Sequence, residues 1–233
     1  MLEELRSDVC RANIELVERG LVTLTWGNAS GIDRPSGLVV IKPSGVGYER
    51  LRPEEMVVVD LEGRVVEGEL RPSSDTPAHL VLYRHFERVG GITHTHSTHA
   101  VMFAQARREI PCLGTTHADH FDGPVPLARP LTAEEVEEDY EGNTGRVIVE
   151  RFAGLDPVAV PGVLAAGHGP FAWGRDAADS VHNAVALEAV AQMALGTLLL
   201  NPDAPPLEPH LLKKHYQRKH GPKAYYGQQP TSP

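Results

Sequence analysis

The 233-residue chain holds only two cysteines, Cys10 and Cys112, and their spacing fits neither a disulfide framework nor a thiolate metal site. Such scarcity excludes a small stapled scaffold and suits a reducing compartment, with both thiols read as small buried apolar residues. An apolar signal core is also missing: the opening MLEELRSDVC carries acids in a helical pattern, so a cytoplasmic protein is expected. No long apolar run goes uninterrupted. The nearest, 177–200, contains Asp179, His182, Asn183, Glu188 and Gln192, which makes it a packed helix and leaves no membrane partner. Positive charge is in deficit. A net charge of −9 argues against nucleic acid as a general partner. Finally, neither GxxxxGK[ST] nor GxGxxG occurs, which excludes the usual cradles for nucleoside triphosphates and dinucleotides.

What remains is a globular composition, 41% hydrophobic and 23% charged, with enough length for a sizeable core. Leu5, Val9, Ala12 and Leu16 recur at helical steps and predict a helix over 2–19, ended by Gly20. Further helices are expected over 76–89, 98–108, 132–151 and 176–200, the last capped by Asp176, with a short basic helix in the tail. Strands are expected at 21–30, 37–45, 90–97, 124–128 and 162–169, and a hairpin over 56–69. No repeat or linker divides the chain. The pattern reads as one α/β domain with a mixed or mostly antiparallel sheet covered by helices.

The densest chemical signal is ITHTHSTH at 92–99. Residues two apart on a strand share a face, so His94 and His96 project side by side and can each offer a nitrogen to one divalent ion. His99 falls in the first turn of the next helix and is not expected to ligate. A pair is weak support for a metal, but His168, between two glycines after an apolar strand, offers a third imidazole. Asp75 is a fourth candidate, with a helix N-cap as its plainer role. Three short segments, WGNAS (26–30), KPSGV (42–46) and PSSD (72–75), combine small or hydroxyl residues with free backbone amides, as oxyanion-binding turns do. Beside a metal site they suit a small phosphorylated molecule.

Taken in order, LTWGNASGID, KPSGV, PSSDTPAH, GITHTHSTHA, GTTHADHF, GHGPFAWG, SVHNAV and KHYQRKHGPKAYYGQ resemble the L-ribulose-5-phosphate 4-epimerases of the class II aldolase and adducin-head group. The resemblance runs from residue 1 to 228. It implies a single three-layer α/β/α domain over 1–228 with a central, mostly antiparallel sheet, a loose tail at 229–233, and a cyclic homotetramer with sites between subunits. It also implies one divalent ion per subunit, zinc with manganese or cobalt as alternatives, on Asp75, His94, His96 and His168. Gly27, Asn28, Lys42, Ser44, Gly45, Ser73 and Ser74 match the residues that bind the sugar phosphate. Asp119 and Tyr226 match the acid/base pair, the tyrosine coming from a neighbouring subunit. Sister aldolases acting on fuculose or rhamnulose phosphate carry a glutamate at position 75, so Asp75 favours the epimerase. Such an aldolase, or a non-catalytic module keeping the same fold, remains the alternative. His120 departs from the aromatic residue of the pattern, beside Asp119.

Overall fold

The structure, a computed structural model, describes residues 2–226; the expected loose tail at 229–233 lies outside them. The first helix, α1 (Glu3–Glu18), buries Val9, Ala12, Asn13 and Leu16 along one stripe. Gly20 ends it with a left-handed φ of 67°, while the Gly20 and Leu21 amides bond back to Val17 and Leu16. Then come β1 (Gly27–Asp33), β2 (Leu38–Ile41), β3 (Val57–Val59), β4 (Val65–Glu67), α2 (Thr76–His85), β5 (Gly91–Thr95) and α3 (Thr98–Gln105). The second half adds α4 (Thr115–Ala118), β6 (Leu127–Ala128), α5 (Ala133–Arg151), β7 (Gly162–Ala165), β8 (Pro170–Gly174), α6 (Ala177–Leu200) and α7 (Pro209–His220).

The strands form one eight-stranded sheet in the order β4-β3-β2-β1-β5-β8-β7-β6. Every pairing is antiparallel except β6 with β7. Alternation along the valine-rich strands assigns the two faces. Val39, Val57 and Val59 pack with α2 and α5, whereas Val40 and Val58 pack with α1 and the start of α6. Both faces are therefore covered, giving the three-layer α/β/α arrangement that the sequence led us to expect.

Two expectations shift. The strand expected over 21–30 starts only at Gly27, because 21–26 has no partner strand: Trp26 closes a turn onto Thr23 and Leu24 takes a left-handed φ of 53°. β-Branched residues favour extension only where a neighbouring strand accepts them. The strand expected over 162–169 stops at Ala165, turns through Gly167 (φ 74°), and returns as β8, a strand outside the expected set. That turn carries His168 back onto the end of β5. Helix α6 is long and apolar enough to cross a bilayer by length and composition. Its polar residues nevertheless have partners within the fold: Asp179 pairs with Arg175, Asn183 donates to the Trp173 carbonyl, and Glu188 bonds His99.

Candidate active site

The three histidines converge at one end of β5 and β8. His94 is buried on β5, His96 lies exposed just beyond it, and His168 sits in the β7–β8 turn. One nitrogen from each lies within 4.8 Å of the others, the one such group of three among the described residues. His168 Nε2 is 3.1 Å from His96 Nε2. Two nitrogens on a tetrahedral ion with bonds of about 2.0–2.1 Å stand roughly 3.4 Å apart, so the spacing fits a shared cation. Two of the other ring nitrogens have partners. His94 Nδ1–H donates to the Pro170 carbonyl (2.9 Å), which leaves Nε2 free, and the Tyr140 hydroxyl is 3.3 Å from His168 Nδ1. The His94 ring also stacks on Phe171, 4.2 Å between centroids. Burial and the neighbouring imidazoles push His168 down to about 4, and partial desolvation within the cluster, with the His94 charge, holds the more exposed His96 below its ordinary range. Neutral imidazole is the form that ligates a metal.

Asp75 stands beside this group at the start of α2, and its carboxylate does not cap the helix. Instead Asp75 Oδ2 accepts from Asn28 Nδ2 at 2.6 Å, while Asn28 Nδ2 is 3.1 Å from Ser73 Oγ. Burial tends to raise the Asp75 pKa, but the His94 and His79 charges, the Asn28 bond and His168 leave it below the usual carboxylate range. Asn28 projects from β1 next to Gly27, whose φ is 136°. A Cβ there would stand 2.8 Å from Val22 Cγ1 and 2.9 Å from the His94 carbonyl, so only glycine lets β1 lie this close to the ligand strand.

The two hydroxyl loops lace together next to Asn28. The Ser73 amide donates to the Lys42 carbonyl and the Ser44 amide to the Arg71 carbonyl, at 3.0 and 2.9 Å. Lys42 is buried, with Nζ donating to Val46 O and lying 4.9 Å from the centre of the Tyr48 ring; burial lowers its pKa. Ser44, Gly45 and Ser74 form the exposed rim. Asn28 Oδ1 is buried and has no partner among the described residues. An unpaired buried acceptor in such a corner is a natural contact for a ligand hydroxyl.

Asp119 and Tyr226 assemble elsewhere. The Asp119 carboxylate accepts from His215 Nδ1 (3.1 Å), Arg218 Nε (3.0 Å) and Arg218 Nη2 (2.6 Å). Desolvation alone would raise its pKa; the Arg218 and His215 bonds and the Lys219 charge outweigh that and hold it low. Tyr226 is exposed, its ring flanked by Arg218 and Lys219 and its amide bonded to the Arg218 carbonyl. Asp119 borders a cavity of about 440 Å³ with Trp173, Arg175 and Asp179. In the β5–β8 register His94 faces Phe171 and Gly91 faces Gly174. The Asp119 cavity is thus at the end of these strands opposite the histidines. His120, ring to ring with His182 at 5.6 Å, borders it too and is pushed down to about 4 by burial and the Lys219 and His182 charges.

Four contributors escaped the sequence reading. His79 was visible one helical turn after Asp75 in DTPAH, a spacing that places both on one helix face. Tyr140, His215 and Arg218 reach their partners across 28, 96 and 99 positions, and nothing local in the sequence marks them.

Comparison with known proteins agrees with this geometry. Residues 7–195 match the model of the Class II Aldolase and Adducin N-terminal domain. The chain is 55% identical over 227 residues, 97% of its own length and 100% of the relative's, to L-ribulose-5-phosphate 4-epimerase UlaF of Salmonella paratyphi A. Among solved structures it is similar to an L-fuculose 1-phosphate aldolase, with TM-score 0.78 and 25% identity over 92% of this chain and 95% of that one. It also resembles YgbL of Klebsiella pneumoniae, a putative aldolase/epimerase/decarboxylase, with TM-score 0.72 and 26% identity over 92% and 99%.

Proposed function

Since the chain belongs to the Class II Aldolase and Adducin N-terminal domain family, we propose that it is a metal-dependent epimerase that interconverts L-ribulose 5-phosphate and D-xylulose 5-phosphate. The observation that carries this reading is the trio His94, His96 and His168, set against the Asn28–Ser73–Asp75 corner and backed by the 55% identity to an epimerase. A single domain takes in the described residues 2–226, and the expected boundary at 228 lies outside them. The two cysteines are unpaired and buried, which suits the cytoplasm.

C4 of the substrate bears no acidic proton, since it lies β to the ketone, so inversion by simple deprotonation is unpromising. Cleavage of C3–C4, rotation of the aldehyde fragment and re-addition to its other face solve the problem. His94, His96 and His168, with Asp75 beside them, would hold a divalent ion, which would supply Lewis-acid stabilisation of negative charge on the substrate; zinc, manganese or cobalt suits these donors. The hydroxyls of Ser44, Ser73 and Ser74 and the amides of Gly45 and Ser74, with the buried Lys42 charge close by, hold the phosphate so that the aldehyde fragment stays bound while it turns. Asn28 orients a substrate hydroxyl through its unpaired Oδ1.

Two proton-transfer groups on opposite sides of C4 complete the cycle. Asp119, ionised at neutral pH, enters as a base, and Tyr226 serves the other face. Their place at the far end of β5 and β8 supports a homotetramer in which they reach a neighbouring subunit's histidines. The deciding experiment incubates the protein with L-ribulose 5-phosphate, with and without chelator. Chelator-sensitive formation of D-xylulose 5-phosphate is expected. Net release of dihydroxyacetone with little xylulose 5-phosphate makes the protein an aldolase instead.

A further inference from the structure

Helix α5 is broken once, at Asp139, whose φ of −165° and ψ of 80° are those of an extended residue inside an otherwise helical run. Local bonds build the break. Asp139 Oδ1 accepts from the Gly142 amide (3.1 Å), as an N-cap does for a new helix, and Asp139 Oδ2 stands 3.3 Å from Arg146 Nη2. Asn143 Nδ2 ties back across the gap to the Glu135 carbonyl at 2.8 Å. Gly142 belongs to the device, because a Cβ there would collide with the Asp139 carboxylate. Tyr140 is the first residue after the break. Its hydroxyl meets His168 Nδ1 at 3.3 Å, across 28 positions of chain.

The backbone of His168 is pinned: the Gly167 amide donates to the Ala104 carbonyl (2.9 Å) and the His168 amide to the Ala165 carbonyl (3.0 Å). The ring needs its own restraint. Turning it over about the Cβ–Cγ bond exchanges its nitrogen and carbon edges, and a cavity of about 190 Å³ bordered by Arg107, Leu131 and Tyr140 lies beside it. His94 meets the same need by donating Nδ1–H to the Pro170 carbonyl. For His168, Tyr140 is the one partner of Nδ1 among the described residues. The direction of that bond follows from the ligand role. His168 Nε2 faces His96 Nε2 at 3.1 Å, and it can offer a lone pair to a shared cation only when Nδ1 carries the ring hydrogen. Nδ1–H then donates and the phenol oxygen accepts.

We propose that Tyr140 is a positioning residue for His168: the break in α5 sets its hydroxyl oxygen as the acceptor of Nδ1–H and so keeps Nε2 turned toward His94 and His96. The bond has two effects. It fixes which ring edge faces the other histidines, and an acceptor behind an imidazole makes the far nitrogen a stronger metal donor. Outer partners of this kind commonly change metal affinity by about 10–100-fold when removed. A neutral phenol at 3.3 Å and 39% exposed belongs at the lower end of that range. The inference rests on the metal reading above, so its test reads the metal directly and needs no substrate.

The experiment titrates chelator-stripped protein with cobalt(II), following the ion's visible bands and competition with a chromophoric chelator. Compared are wild type, Tyr140→Phe, Asp139→Ala, the Asp139→Ala/Tyr140→Phe double variant, and protein carrying O-methyltyrosine in place of Tyr140. O-Methyltyrosine keeps an accepting oxygen and lacks the hydrogen, so it preserves the bond only when the tyrosine accepts. Expected are a cobalt affinity about 10-fold weaker for Tyr140→Phe and near wild-type affinity for the O-methyl protein. Asp139→Ala should lose a similar factor, and adding Tyr140→Phe to it should cost nothing more. Equal affinity for Tyr140→Phe and wild type overturns the inference. So does an O-methyl protein as weak as Tyr140→Phe, since the accepting oxygen is then not what matters. Wild-type affinity in Asp139→Ala overturns it too, because the break then does not set the tyrosine. If Asp139→Ala does not fold, the phenylalanine and O-methyltyrosine pair decides by the same outcomes. Wild-type protein that binds no cobalt refutes the metal reading itself, and this inference with it. Wild type that binds cobalt without turning over the pentose phosphate refutes only the proposed reaction.

Discussion

Glu188 gives the sharpest test of how the fold holds the ligand strand. Helix α3 begins two residues after His96, and its N-cap Ser97 makes no side-chain capping bond. Glu188, from α6, takes that role across 89 positions. Its Oε1 accepts from the His99 amide (2.9 Å) and from His99 Nδ1–H (2.7 Å), and its Oε2 accepts from the Ala100 amide (3.0 Å). Glu188→Ala orphans two helix-start amides and one imidazole N–H in a region where the Glu188 side chain is only 17% exposed. A lost cap costs about 0.5–2 kcal/mol and an orphaned, largely buried donor about 1–3 kcal/mol. Partial solvent access keeps the sum near 2–4 kcal/mol. For a domain of this size each kcal/mol moves the melting midpoint by about 2–4 °C, so a fall of roughly 4–16 °C is expected. Circular dichroism melts of metal-free protein at one fixed concentration measure it. Glu188→Gln keeps one accepting oxygen and falls between the two. An alanine variant melting within about 1 °C of wild type refutes the claim that α6 pins the start of α3.

His96→Asn abolishes metal binding and activity together, while His99→Ala keeps metal within about twofold of wild type, because His99 Nδ1 is bonded to Glu188 and not turned to the trio; equilibrium dialysis with zinc separates them. Acid sensitivity follows from His117, which is buried, pushed down to about 4 by burial, and donates Nε2–H to the Gly123 carbonyl at 2.9 Å. The unfolded chain takes up this proton below about pH 6.5 and the folded chain only near 4, so stability is full above 6.5 and is lost as pH falls, by about 3 kcal/mol in all. His117→Gln can keep the donor without the titration, so denaturant melts of metal-free protein at pH 7 and pH 4 should show a smaller loss than wild type. An equal loss in both proteins assigns the acid sensitivity to other groups.

Local periodicity was readable wherever a single element closed its own hydrogen bonds. α1, with its apolar stripe and terminal Gly20, and α6, with Asp176 capping the Asp179 amide, needed no partner to be recognised. Strand ends were less legible because they depend on neighbours. Val22, Thr23 and Thr25 favour extension, yet nothing pairs with them, and β8 hides behind the glycine turn that presents His168. The candidate metal trio was visible because two members share one strand face, and the third stands out between glycines. Asp75 drew notice first as a cap, and only the structure shows its carboxylate held by Asn28 instead.

The proposed proton-transfer pair was the least legible part, for a reason of distance rather than chemistry. Asp119 and Tyr226 meet through Arg218 at the far end of β5 and β8, and three residues of strand alone, His94 to Gly91, span about 10 Å. A chain built this way cannot bring its own Asp119 to its own histidines without taking β5 and β8 apart. If both groups serve one reaction, the site must combine two copies, and two inactive variants should then repair one another. His96→Asn lacks the metal but offers an intact Tyr226; Tyr226→Phe keeps the histidines but lacks the phenol. When the two are dissociated together and reassembled in equal amounts, a site is whole only if a Tyr226→Phe chain supplies the histidines and a His96→Asn chain supplies the tyrosine. Random assortment in a closed ring makes that so for about one quarter of sites. Activity should therefore return from near zero to about 25% of wild type, read as D-xylulose 5-phosphate formed per chain. A mixture as inactive as either parent, with mixed oligomers demonstrated by mass spectrometry, refutes the shared site and places the whole reaction within one chain.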